Sequence, residues 1–186
     1  RLAAAGRDVT FLIRPKRAAE IAKNGFVIVD PKGETRIEPK IVTADTIGGS
    51  YDLVLMSVKA YSLLAAMDDI APAIGPNTLI LPVLNGLKHF DMLSERFGAE
   101  RVIGSFCKIN ARLDDHGRII QMSPLHDLIY GEYDGRRSPR IEAIDAFFKG
   151  AGFDARLSDD IGRELWEKWV LLASLGAATC LMRGTV

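Results

Sequence analysis

Leu53-Val-Leu-Met-Ser-Val58 runs directly into Lys59-Ala-Tyr61, and this junction decides the fold. A continuous apolar run of strand length, without polar alternation, suits a strand covered on both faces, as in a parallel sheet. Tyr61 to Ile74 then carries the spacing of an amphipathic helix, stopped by Gly75-Pro76. Thr78 to Leu81 is a second buried strand, Phe90 to Phe97 a helix and Val102 to Ile109 a third strand. Strand–helix–strand alternation with short connections implies a parallel, doubly wound α/β sheet.

Upstream, Asp8 to Ile13 reads as a buried strand ended by Arg14-Pro15, and Lys16 to Asn24 as a helix closed at Asn24-Gly25. Phe26–Val29 and Glu34–Ile37 flank Asp30-Pro-Lys-Gly33, the loop of a hairpin. Val42-Thr-Ala44 leads to Asp45, which has the chemistry of a helix cap. Downstream of Arg112, Arg118–Met122 and Asp127–Tyr130 alternate like two antiparallel strands. Arg140 to Gly150 is a helix, Phe153 to Leu157 a last strand, and Asp159 or Asp160 caps a long helix through Lys168. The organisation expected is a Rossmann-type domain over 1–158, followed by the first helix of a helical domain over 159–186.

The 186 residues are 48% hydrophobic, enough for a sizeable core, and Lys+Arg and Asp+Glu balance at 24 each. That balance offers no global attraction to nucleic acid or an anionic membrane. Two cysteines, Cys107 and Cys180, form neither a disulfide framework nor a metal-ligand spacing and suit a reducing cytoplasm. The uncharged run Trp169–Met182 falls short of the roughly 20 residues a bilayer span needs, and no signal peptide is visible. Arg1 to Gly6 looks like the last turns of a helix with no strand before it. The expectation is therefore a fragment of a longer protein.

In a doubly wound sheet, ligands bind outside the carboxyl ends of the strands, and three such ends here carry distinctive residues. Arg14 follows the first strand at the position that would meet an adenosine ribose. It is either a solvated basic turn or the arginine that accommodates a 2′-phosphate, which would favour NADPH over NADH. Lys59, after the strongest strand, is either a surface lysine opening a helix or a point charge for a phosphate, ribose or carboxylate. Asn85-Gly86 is either an ordinary turn pair or a contact to the nicotinamide ribose or substrate. Lys168, in Glu164-Leu-Trp-Glu-Lys-Trp-Val-Leu-Leu172, either snorkels to water from an apolar helix or is held where its ammonium is used. His89, His116 and His126 are scattered and suggest neither a base nor a metal site. Trp166 and Trp169, three apart on one helix face, read as core.

Arg14, Ser57-Val-Lys59-Ala-Tyr61, Leu84-Asn85-Gly86 and Glu164-Leu-Trp-Glu-Lys168, in this order and spacing, resemble the ketopantoate reductase (2-dehydropantoate 2-reductase) family across essentially the whole chain. The resemblance implies a Rossmann-type NADP domain joined to a helical C-terminal domain. It also implies NADPH-dependent reduction of ketopantoate to pantoate, on the route to pantothenate and coenzyme A. It makes Lys168 the catalytic lysine, assigns Arg14 to the 2′-phosphate, and puts Lys59, Asn85 and Gly86 along the cofactor and substrate cleft. Measured against that family, the chain would lack the N-terminal glycine-rich turn and most of the helical domain. Leu172 and Gly176 stand where the family carries asparagines one and two turns after the lysine. That departure leaves open a sister reductase acting on another 2-keto acid. Two other classes also stay open: a nucleotide-binding regulatory protein without turnover, and a Rossmann-like methyltransferase, which an acid after the first strand would have favoured. The partner expected is a small 2-keto acid, with a homodimer possible and neither nucleic acid nor membrane involved.

Overall fold

A computed structural model describes residues 1–185. Among the described residues the chain forms nine strands and five α-helices. They are β1 (Thr10–Leu12), α1 (Pro15–Asn24), β2 (Phe26–Asp30), β3 (Gly33–Ile37), β4 (Lys40–Val42), β5 (Leu53–Met56), α2 (Leu63–Ile70) and β6 (Leu79–Pro82). After these come α3 (Lys88–Phe97), β7 (Gly104–Leu113), β8 (Ile119–Gly131), α4 (Pro139–Phe148), β9 (Asp154–Leu157) and α5 (Ile161–Met182). The mixed α/β architecture is the Rossmann-like one expected of the apolar runs.

The local chemistry explains each turn. Arg14 is extended, as the residue before a proline must be, and Pro15 opens α1. Gly25 closes that helix at φ 80°, a conformation a side chain resists. The hairpin forms in the expected register, Phe26 opposite Ile37 and Asp30 opposite Gly33, with the Lys32 amide donating to Asp30 Oδ1 at 2.8 Å.

β1 pairs with β4 and β5 with β6, both parallel. The sheet continues from β6 into β7 through the Ile80–Val102 bridge, with the Ile103 amide donating to the Ile80 carbonyl at 2.9 Å. β8 lies antiparallel to β7, and β9 parallel to β8. Strand alternation splits the core into two layers. Ile80, Phe106 and Ile129 pack with Met67 of α2, Leu93 of α3 and Leu165 of α5. Leu81, Ile103, Leu128 and Tyr130 pack with Ile141, Ile144 and Phe148 of α4. Burying each such side chain stabilises the fold by about 1.5–3 kcal/mol.

Four expectations are corrected. Asp45 caps no helix: residues 44–46 form a turn held by Thr43 and Thr46, and Gly48-Gly49 discourage propagation. The alternating segments after Arg118 are one strand, β8. Pro124 is tolerated within it because the β7–β8 ladder is irregular between Ile109 and Ala111. Leu53–Val58 is not covered throughout: β5 ends at Met56 and Leu55 is 41% exposed, beyond the layer that α4 covers. Trp166 and Trp169 are not core, at 59% and 40% exposure.

α5 begins eight residues before the uncharged run and ends with it at Met182. At 22 residues it is, among the described residues, the one helix long and apolar enough to cross a bilayer by length and composition. Its first turns are nevertheless docked on protein: Ile161 and Leu165 are buried in the core. Glu164 is ion-paired with Arg156 of β9 and accepts from Ser158 Oγ at 2.6 Å. Two glycines allow this docking. A Cβ on Gly104 would meet Ile161 Cγ2 at 2.7 Å, and one on Gly131 would meet the Ser158 carbonyl at 2.6 Å.

Candidate active site

The Asp160 side chain caps α5 by accepting from the Arg163 amide at 3.2 Å. From there Ile161, Leu165, Lys168 and Leu172 fall at i, i+4, i+7 and i+11, one face of the helix. The first two residues of that face are buried, so the third is carried to the rim of the core rather than into water. Lys168 Nζ donates to the Cys107 carbonyl at 2.9 Å and to Asn85 Oδ1 at 3.1 Å, and lies 5.1 Å from the Phe106 ring centroid.

Both acceptors are free for a structural reason. β6 ends at Pro82 and the chain turns away through Leu84-Asn85-Gly86, so the β7 edge at Cys107 has no β6 residue opposite. Gly86 makes that turn at φ 90°. A Cβ there would sit 3.8 Å from Trp169 Cζ3, an ordinary contact, so the backbone conformation rather than space demands glycine. Leu84, Gly86, Phe106, Leu165, Trp169 and Leu172 line a small cleft around the ammonium.

The electrostatics follow from this packing. Burial holds the Lys168 ammonium below the ordinary lysine pKa, and the charge of Lys108 lowers it further. The Cys107 thiol would act in the opposite sense as a thiolate, but burial raises its own pKa, so near neutral pH it is the uncharged thiol and lends Lys168 little. His89 is 4% exposed, and its Nε2 has no hydrogen-bond partner. Burial, then the charge of Lys168, pushes its pKa down to about 4.

Arg14 is exposed at the carboxyl end of β1, where Nη2 donates to Ser62 Oγ at 3.1 Å, just before α2. Lys59 is exposed three residues past the end of β5, and its charge favours the Cys107 thiolate. The structure thus joins Lys168, Asn85 and Gly86 in one cleft. Arg14 follows β1, which pairs with β4, and Lys59 follows β5, which pairs with β6; the Arg14–Ser62 hydrogen bond ties the two segments. Fitted to a dinucleotide, the described residues offer a guanidinium, an ammonium and an amide after the carboxyl ends of β1, β5 and β6, polar groups suited to ribose and phosphate.

Sequence reasoning gave Phe106 no role, read Trp169 as core, and set aside Cys107 and His89. Cys107 acts through its carbonyl, which no side-chain pattern reveals. His89 lies in the first turn of α3, only three residues after Gly86, and that proximity to the turn was the one available signal.

The family model described as ketopantoate reductase PanE/ApbA matches residues 1–135. The chain is 36% identical over 183 residues to an uncharacterized oxidoreductase, YkpB, of Bacillus subtilis (strain 168), covering 98% of this chain and 60% of that protein. It is 28% identical over 189 residues to a 2-dehydropantoate 2-reductase of Mesorhizobium japonicum, covering 90% of this chain and 58% of the relative. Among solved structures, a 2-dehydropantoate 2-reductase from Geobacter metallireducens GS-15 superposes with a TM-score of 0.87 at 32% identity, over 98% of this chain and 60% of that one. The chain therefore spans about three-fifths of the length of the relatives it matches.

Proposed function

The chain belongs to the ketopantoate reductase PanE/ApbA family, and from that membership and the Lys168 cleft we propose that the protein is an NADPH-dependent 2-keto acid reductase. Ketopantoate is the first substrate to test. The observation that carries the reading is the ammonium held by two acceptors, Asn85 Oδ1 and the Cys107 carbonyl. An ammonium has three donors, so one N–H is left for a ligand.

A nicotinamide cofactor, when bound, supplies the hydride for the carbonyl carbon. As the carbon–oxygen π bond opens, negative charge collects on the former keto oxygen. Lys168 stabilises that charge and transfers its remaining N–H proton to the oxygen, becoming a neutral amine that solvent reprotonates. Its lowered pKa makes the proton easier to give. Asn85 and Cys107 hold the nitrogen in position, and Phe106 and Leu165 keep bulk water from its inner side. Arg14 would take the 2′-phosphate of the cofactor and Lys59 its phosphate or ribose. The cysteines, Cys107 and Cys180, are both free, in keeping with a cytoplasmic enzyme.

A sister activity is favoured by one specific observation: Leu172 lines the cleft beside Lys168. An aliphatic wall there suits a substrate with an apolar side chain. NADPH oxidation by the whole protein with ketopantoate and a panel of branched and aromatic 2-keto acids separates the two. Lys168→Ala is expected to lower kcat by about 10²–10⁴-fold on the best substrate, and unchanged turnover would remove Lys168 from the mechanism. Cofactor binding without turnover of any keto acid would leave a nucleotide-binding regulatory protein.

A further inference from the structure

We propose that Lys108 is the specificity-determining residue of this cleft, taking the carboxylate of an anionic substrate whose neighbouring carbonyl meets Lys168. The inference rests on the 2-keto acid reading of the same cleft and adds the group that selects the acid.

Lys108 lies two residues after Phe106 on β7, and no bulge intervenes, so both side chains emerge on the same side of the strand. Phe106 is buried there and Lys108 is exposed, at the rim. Their geometry converges on one ring: Lys108 Nζ is 5.8 Å and Lys168 Nζ 5.1 Å from the Phe106 centroid. Among the described residues, no carboxylate comes within ion-pair distance of either ammonium. Two unpaired like charges around one aromatic ring repel each other, and an anion between them turns that repulsion into two attractions.

The donor inventory points the same way. A 2-keto acid presents a carbonyl oxygen and a carboxylate side by side, and Lys168 has one N–H left for them. The cleft wall contributed by α5 beyond Lys168 is Trp169 and Leu172, which offers no second cation. Opposite it, β7 supplies Lys108, whose ammonium makes no hydrogen bond to the described residues and is free to meet the carboxylate as a charge-assisted donor. Lys59 is a weaker choice, since it opens the turn after β5 and does not share the Phe106 ring.

Isothermal titration of the whole protein with 2-oxoisovalerate and with its neutral amide, 2-oxoisovaleramide, tests this without requiring turnover. The unsubstituted protein is expected to bind the acid more tightly than the amide. Lys108→Met should weaken the acid by about tenfold or more and leave the amide unchanged, while Lys108→Arg restores most of the difference. Equal affinity of the unsubstituted protein for acid and amide, or an acid affinity unmoved by Lys108→Met, overturns the proposal. If the acid is bound in a Lys108-dependent way but not reduced with NADPH, the anion site stands and the reductase reading falls.

Discussion

Lys168 and His89 are each stripped of part of their hydration, and each responds by disfavouring its proton. The consequences differ because only Lys168 has acceptors to hold it. His89 is buried with an unpartnered Nε2, so its neutral form is the one the fold accepts. Between pH 6.5 and about 4 an unfolded chain binds a proton at this imidazole that the folded chain refuses. Stability therefore falls as pH falls through that window, by on the order of 3 kcal/mol in full. Urea unfolding at pH 7 and pH 4.5 should show the loss, and His89→Leu should abolish most of the difference between the two pH values. Lys168→Met, by removing a nearby positive charge, should raise the folded His89 pKa, narrow that window from its acidic end and make the loss smaller. At this scale, polar side chains were legible: the sequence singles out Lys168 within an apolar helix and Asn85 after a strand, and the two meet at 3.1 Å. Cys107 was not, because its contribution is a carbonyl exposed by the end of a neighbouring strand. His89 was not, because burial is a property of the packed chain.

Among the elements, α5 and β7 set the site, and glycine sets their separation. Gly104→Ala puts a methyl group against Ile161 Cγ2, at a distance that side-chain carbons do not tolerate. The expected cost is about 1–3 kcal/mol of stability, read as a lower midpoint in chemical unfolding with the transition still cooperative. The buried Glu132 is a second tie between elements, accepting from Arg140 Nε at 2.6 Å and from Ser138 Oγ at 2.5 Å, the latter residue also capping α4. Glu132→Ala would leave the partly exposed Arg140 with only the Glu100 carbonyl and is expected to cost about 1–3 kcal/mol. Helices and strands with strong punctuation were readable in the chain: Pro15 and Gly25 bound α1, and Gly33 turns the hairpin. The errors fell where tertiary pairing overrode local pattern. β8 runs through Pro124 because β7 supports it on both sides of the irregularity, and the β4 strand forms because β1 offers it a parallel edge.

For the whole molecule, the polar groups of the proposed cofactor and substrate site follow the carboxyl ends of three strands: Arg14 after β1, Lys59 after β5 and Asn85 after β6. Arg14→Ala should raise the KM for NADPH by about tenfold or more with little change for NADH. Equal losses with both cofactors would show that Arg14 does not meet a 2′-phosphate. The parallel-sheet architecture was legible because buried strands are written as uninterrupted apolar runs. The exposed faces of Trp166 and Trp169 were not, since three-residue spacing specifies a helix face without saying what lies against it. The glycine seat beneath Ile161 has one further consequence. Seven residues separate Ile161 from Lys168, about 10 Å of helix, and the early turns rest on Gly104 and Gly131 like a lever on its fulcrum. A tilt of roughly 6° at that fulcrum swings the ammonium by about 1 Å, a displacement large enough to cost about 100-fold in rate. The smallest residues under the helix thereby govern the aim of the Lys168 ammonium.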